Sequence, residues 1–372
     1  MIAVYCGTNI DKQASIHYDR INVIGSMNKL TKSHFEIPEH HARMIGIWLL
    51  VICAMVFAMV VLGGFTRLTE SGLSMTGWRP VTGWLPPLSV EQWQAQFDAY
   101  RNSPEYLKIN RGMSLDEYKQ IFWLEYLHRL WGRMIGIAFA LPFAFFLIKG
   151  WLNRPLIARL SVLFILGGLQ GVIGWWMVKS GLVDRPDVSQ YRLATHLLMA
   201  FLIISMALWI ALDLLSERAN VVSVFTKNYA NLIVGIVFVT VFSGALVAGL
   251  NAGMIYNTFP LMQGALFPPE GFAMSPWYKN FFEDLATVQF QHRILAMVSA
   301  LLVLGFWYAG RTLKPELRLR ANVMLGIVGI QVAMGISTLL LVVPISLAAA
   351  HQAGAVLLLM VAIWVRHGLR AA

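Results

Sequence analysis

Ile121 to Ile137 reads IFWLEYLHRLWGRMIGI, and this stretch decides the fold. Glu125, His128, Arg129 and Arg133 stand at the head of a segment that continues as apolar sequence through Ile148. On a helix Glu125 and His128 share a face, about 4.5 Å apart along the axis. Ionisable groups inside an apolar helix of membrane length are costly, which makes them candidates for function. The plainer alternative is that Glu125 pairs with Arg129 or Arg133 while His128 only bonds a neighbour.

The rest of the chain repeats this pattern. Of 372 residues, 58% are hydrophobic and 13% charged, and the mean hydropathy is +0.63, which indicates a polytopic membrane protein and excludes an ordinary soluble globule. The net charge of +10 sits in short segments between apolar runs, so it speaks for orientation in an anionic bilayer and against a nucleic-acid partner. Cys6 lies in the polar N-terminal tail and Cys53 inside an apolar run, so neither a disulfide framework nor a thiolate metal site is expected. The tail, residues 1–43, holds five Lys/Arg and four Asp/Glu, too acidic for an organellar transit peptide, and no signal-peptide pattern precedes the first span.

Eight spans are expected, at Met44–Phe65, Ser114–Ile148, Leu156–Met177, Val188–Leu214, Asn231–Leu250, Leu285–Tyr308, Ala321–Val343 and Ile345–Val365. Each is long enough for a hydrocarbon core of about 30 Å. Ser114-Leu-Asp-Glu117 is a capping-box pattern that starts the second helix before it enters the membrane. Ser89 to Tyr106 reads as short surface helix, and 216–229 as a polar connector at the midpoint. The halves match residue by residue. Pro80 with Gly83-Trp-Leu-Pro86-Pro87 is echoed by Pro260 with Gly264 to Pro269, and Glu125-Tyr-Leu-His128-Arg129 by Gln289-Phe-Gln-His292-Arg293. Gln170 and Gly174 return as Gln331 and Gly335, and His196 as His351. The expected fold is therefore an all-α integral membrane protein whose eight transmembrane helices form two pseudo-symmetric four-helix bundles, 44–215 and 230–372, related by an axis along the membrane normal. Lys and Arg concentrate in the tails and short connections, while the long connection 251–284 contains only Lys279, so both termini are expected inside.

With that topology His128, His196, His292 and His351 lie at similar shallow depth, two per bundle. Paired imidazoles on facing helices of a bundle suit bis-histidine ligation of haem iron. Zinc is disfavoured because no carboxylate or thiolate ligands accompany all four positions. Arg129 and Arg293 follow two of the histidines and Arg192 precedes His196 by one turn, so all three are candidate propionate contacts. His17, His34, His40, His41 and His367 read as solvated tail residues. The halves also differ: Glu125 stands where the second has Gln289, and a carboxylate can accept a proton where an amide cannot. This makes the first bundle a reaction chamber and the second an electron-transfer site. For Glu125 the alternative is an ion pair with Arg129.

Gly63 to Pro80 (GGFTRLTESGLSMTGWRP), the EYLHRLWGR block, RLATH around His196, QFQHR around His292 and AAAHQAGA around His351 together resemble the haem A synthase family, in the branch shared by alphaproteobacteria and mitochondria. The resemblance runs from about Arg43 to Arg370, and the motif combination is specific although each motif alone is weak. It implies oxidation of a ring methyl of haem O to a formyl group through a hydroxymethyl intermediate, giving haem A for cytochrome c oxidase. It further implies His292 and His351 as ligands of a resident haem b, His128 and His196 as ligands of the substrate haem O, and Glu125 as the essential carboxylate. Haem O synthase and the cytochrome c oxidase assembly machinery are the partners it implies, besides membrane lipid, and a bacterial inner membrane, ahead of the mitochondrial one, is the expected location. The cysteine pair that some family members carry in an outer connection is missing here. Two other functions fit parts of the pattern: a membrane cytochrome b relaying electrons to or from quinone, and a transporter, which would require discontinuous helices.

Overall fold

The computed structural model describes residues 37–78, 83–182, 187–216, 220–268, 270–312 and 314–371. The N-terminal tail to residue 36, with His17 and His34, lies outside the described residues, as do Pro80 and Pro269. Eight helices are long and apolar enough to cross a membrane: α1 (Glu39–Leu68), α2 (Leu115–Ile148), α3 (Arg154–Gly181), α4 (Gln190–Leu215), α5 (Val224–Gly249), α6 (Leu285–Ala309), α7 (Pro315–Leu340) and α8 (Ile345–His367). The chain is thus a multi-pass membrane protein.

Local chemistry sets several helix starts. Ser114 accepts from the Glu117 amide while the Glu117 carboxylate accepts from the Ser114 amide, the expected capping box. Asn153, Ser223 and Asp284 cap α3, α5 and α6. Capped by Ser223, α5 begins at Val224, seven residues before the expected Asn231, so the connector is shorter than 216–229. Apolar sequence marks the membrane, whereas a cap marks the helix, and the first turns of α5 are polar. Inside α2, Pro142 cannot donate to the Ala138 carbonyl, and Trp48 Nε1 of α1 donates to it instead at 2.9 Å.

The helix contacts are consistent with two four-helix units. In the first half α1 touches α2 and α4, and α3 touches α4; in the second α5 touches α6 and α8, and α7 touches α8. The halves join through α4 with α5, α8 with α1, and α4 with α8, reciprocal contacts that suit an approximate two-fold axis. Large apolar side chains such as Leu141, Ile148, Ile165, Leu301 and Ile330 point outward, as lipid-facing positions require. One feature outside the all-α plan is a parallel pair of three-residue strands, β1 (Asn220–Val222) and β2 (Leu369–Ala371), which ties the connector to the end of α8.

The long connections after α1 and α5 lie at one end of the molecule, together with the α3–α4 and α7–α8 links, and the short α2–α3, α4–α5 and α6–α7 links lie at the other, the short-connection end. At the long-connection end, helices Val90–Arg101 and Pro104–Lys108 occupy the expected Ser89–Tyr106 region and pack Phe97, Tyr100 and Tyr106 on Tyr118, Phe122 and Tyr126 of α2. Tyr100 donates to buried Glu105 at 3.1 Å, and burial pushes the Glu105 pKa up to about 8. At the opposite end Asp213 of α4 is fully buried, with Arg159 of α3 and His367 of α8 each 3.0 Å from one of its oxygens. His367 is therefore not the solvated tail residue expected from its position. It is 2% exposed because the last turn of α8 packs on α4, its ring against Trp209 at 5.2 Å and its Nε2 on Asp213. His41 departs from expectation as well, stacking on Trp151 at 4.1 Å, whereas His40 is exposed.

Replacing His367 by Ala removes one donor from buried Asp213 and is expected to cost about 1–3 kcal/mol, seen as a lower unfolding midpoint in detergent; an unchanged midpoint would show that Asp213 does not need it. Because the folded state holds the Glu105 proton more tightly than the unfolded chain, stability should decline as pH rises from the ordinary value of 4.5 through about 8. Thermal midpoints at pH 5 and pH 8.5 should show this slope, and Glu105→Gln should flatten it.

Candidate functional site

A cavity of about 1210 Å³ runs through both bundles and is lined by Glu125, His128, His196, His292 and His351 together. It exceeds the usual range for a drug-sized ligand, roughly 300–1,000 Å³. His196, His292 and His351 stand about two turns into α4, α6 and α8, whereas His128 is nearly four turns into α2. The difference is the additional start of α2 that carries the aromatic cluster.

Each imidazole rests on a glycine of the preceding helix. A Cβ on Gly63 of α1 would lie 2.8 Å from His128 Cε1, on Gly174 of α3 2.9 Å from His196, on Gly244 of α5 2.9 Å from His292, and on Gly335 of α7 2.8 Å from His351. Real Cβ atoms do not approach so closely, so any larger residue would push the ring off its seat. Gln170 Nε2 donates to the His196 carbonyl at 3.0 Å and Gln331 Nε2 to the His351 carbonyl at 2.9 Å, fixing α3 against α4 and α7 against α8 in the same register. The repeated Gln and Gly positions were visible in the sequence; that the glycines are seats for the rings was not.

The ring nitrogens are differently served. Ser243 Oγ donates to the Thr240 carbonyl, and its oxygen lies 2.8 Å from His292 Nδ1. With its one proton spent, Ser243 accepts from Nδ1–H, which leaves the Nε2 lone pair of His292 free to bind a metal. Nδ1 of His128, His196 and His351 is buried without a hydrogen-bond partner. Unpartnered buried imidazoles on glycine seats, with arginines at the cavity wall, fit an iron porphyrin.

Around Glu125 the halves can be compared atom by atom. Arg129 Nη2 lies 2.5 Å from Glu125 Oε1 and donates to the Met75 carbonyl, and Nη1 donates to Gly77. Arg293 repeats this with Gln289 Oε1, Tyr256 and Thr258. The ion pair considered for Glu125 thus exists, and it coexists with a place on the cavity wall. Glu125 Oε2 also accepts from Ser74 Oγ and the Met75 amide, both at 2.7 Å. In the second half Ile255 replaces Ser74, and Gln289 Nε2 donates to the Tyr256 carbonyl. The first site presents a negative acceptor where the second presents a neutral amide.

Arg129 and Arg293 line the cavity but spend much of their donor capacity anchoring the long connections to α2 and α6. Arg192 lies over Trp176 at 4.6 Å and donates to its carbonyl, outside the cavity wall. Sequence reasoning missed Arg67, which lines the cavity and bonds the Ala248 carbonyl and Asn251 Oδ1 of the other half. Its place in the GGFTRLTES run was the available signal. Among the described residues no three His, Cys, Asp or Glu are grouped so as to hold a metal ion.

The family model described as "Cytochrome oxidase assembly protein", COX15-CtaA, matches residues 46–363. The chain is 53% identical to the Heme A synthase of Nitrosospira multiformis over 88% of this chain and 94% of the relative. It is 49% identical to that of Parvibaculum lavamentivorans, over 94% and 99%. With the Heme A synthase COX15 of Arabidopsis thaliana it shares 46% identity over 95% and 81%. A match spanning all eight helices, with the same four histidines inside it, places the chain in the COX15-CtaA family of cytochrome oxidase assembly proteins.

Proposed function

We propose that the chain is a haem A synthase that oxidises a ring methyl of haem O to a formyl group, through a hydroxymethyl stage, for cytochrome c oxidase. The names of its relatives support this reading. The first bundle takes haem O between His128 and His196, and the second a resident haem b between His292 and His351. When bound, that haem b supplies one-electron redox chemistry. With its oxygen taken from water, conversion of methyl to formyl releases four electrons and four protons in two two-electron steps, and the electrons pass to an acceptor outside the chain.

One observation carries the division of labour: Glu125 and Gln289 sit in matched surroundings, held by equivalent arginines and carbonyls, yet only Glu125 has a negative charge to offer. Ser74, the Met75 amide and Arg129 fix both of its oxygens, so it is a preorganised acceptor close to His128. There it draws the proton leaving the oxidised carbon, or orients the water beside it. Ser243 holds His292 in the ligating tautomer, as suits a group that stays in place. Arg67, Arg129 and Arg293 line the cavity toward the long-connection end, where propionates reach water, whereas Arg192 lies outside its wall. The positive-inside pattern puts both termini on the cytoplasmic face of a bacterial inner membrane, with haem O arriving laterally from haem O synthase and product passing to the oxidase assembly machinery.

Glu125→Gln, which copies Gln289, should leave haem binding intact and lower formyl-haem production by about 100-fold or more. Mass spectrometry of extracted haems reads this, and full activity would remove the carboxylate from the mechanism. His292→Ala or His351→Ala should reduce resident haem b in the purified protein, measured as the pyridine haemochrome; unchanged occupancy would show that the ligands are others.

A further inference from the structure

Below the imidazoles the two bundles differ in a systematic way. From His128 toward the short-connection end, α2 carries Gly132 and Gly136, where α6 carries Ala296 and Ala300. Below Gly174, α3 carries Gly171 and Gly167, where α7 carries Val332 and Val328 below Gly335. The first bundle thus lacks eight side-chain carbons that the second possesses on the same two helix faces. A Cβ added to Gly136, Gly167 or Gly171 would meet no atom within 4 Å, whereas Val328 is buried in the core at 3% exposure. Helices α2 and α3 also touch over less of their length than α6 and α7. The result is a cleft about 5–12 Å below the imidazole seats, given the helical rise. Its far end is shut by Phe139 stacked on Phe164, ring centroids 5.9 Å apart.

Missing side chains alone only make space. What points to a ligand is the place onto which the space opens: the glycines line the same cavity as His128 and His196, whose buried Nδ1 atoms have no hydrogen-bond partner. The walls are apolar and one side faces lipid, with Ile165 and Leu169 exposed beside the glycines. A flat ring bearing a long isoprenoid chain matches such a slot; a small polar molecule does not.

We propose that the cleft between α2 and α3 is the lateral doorway of the first bundle, through which an isoprenylated haem passes between the bilayer and the His128/His196 site, its chain lying over Gly132, Gly136, Gly167 and Gly171. The alanines and valines at the matching positions close the second bundle and retain its haem. This rests on the assignment of the substrate to the first bundle. Entry by diffusion from lipid needs no path through water, and an open, side-chain-free slot costs no rearrangement of packed helices.

The experiment copies the second bundle into the first. Gly167→Val, Gly171→Val and the double variant are produced with haem O supplied, and both haems are extracted and quantified from the purified protein. Bound haem O should fall at least tenfold in the double variant while haem b stays at the wild-type level, which also reports that the protein has folded. Gly171→Ala should give an intermediate loss. The reciprocal Val328→Gly/Val332→Gly variant should transfer haem b to apomyoglobin at least tenfold faster than wild type. A double valine variant that loads haem O normally, while His128→Ala does not, overturns the doorway and leaves the site assignment standing. Loss of haem O in His292→Ala but not in His128→Ala overturns the assignment and the doorway with it.

Discussion

An imidazole can stand inside an apolar bundle only if the neighbouring helix makes room for its ring and something answers its nitrogens. The first condition is met four times by one device, a glycine on an odd-numbered helix beneath a histidine on the next even-numbered one. Because backbone then meets ring directly, the pair fixes both the spacing and the register of the two helices. Gln170 and Gln331 strengthen that register by tying the preceding helix to the histidine's own carbonyl. The second condition is met within the protein only for His292. For His128, His196 and His351 the buried Nδ1 goes unanswered, so at these three places the protein spends stability at the cavity wall.

Duplication makes the molecule its own control. Arginine, carbonyl pair, glycine seat and histidine recur in both halves, so whatever is shared belongs to holding a ring. What differs belongs to the use made of it. The first half has a carboxylate, a hydroxyl donor in Ser74 and glycine walls; the second has an amide, Ile255 in place of the hydroxyl, a serine that sets a tautomer and filled walls. On the proposed reading, each change in the first half serves reactivity or access, and each in the second serves permanence. A relay with two equivalent haems would have no use for that divergence.

The parts legible in the sequence are those governed by local rules. Apolar run length located all eight spans, the Ser114 cap located the start of α2, and internal repetition paired the histidines. The parts that stayed hidden depend on what lies across a helix interface. Nothing in the GGF run distinguishes Gly63 as a seat for His128, because the contact joins residues on different helices. His367 reads as a tail residue since its partner, Asp213, sits on another span more than 150 positions earlier. The β1–β2 pairing joins three-residue segments too short to show any alternation. The backbone carbonyls of Met75 and Gly77 that accept from Arg129 likewise leave no trace in composition.

The two chambers are joined through α1, and its consecutive glycines explain how. Gly63 receives the His128 ring from its own bundle, and Gly64 receives Gln352, the neighbour of His351, from the other. Gln352 Nε2 donates to the Val60 carbonyl at 2.8 Å, one turn away on the same helix. Residues next to each other on a helix point about 100° apart, so a single pair of glycines lets α1 serve one bundle with each face. At the matching positions on α4 and α5 stand Leu197 and Ala245, members of one apolar cluster whose side chains have no hydrogen bond to give. At the depth of the imidazoles the contact between the bundles is therefore polar on the α1–α8 side, while Arg67 with Ala248 and Asn251, and His367 with Asp213, join the halves nearer their two ends. Any displacement of α8 that moves His351 must also drag Gln352 against the helix on which His128 is seated.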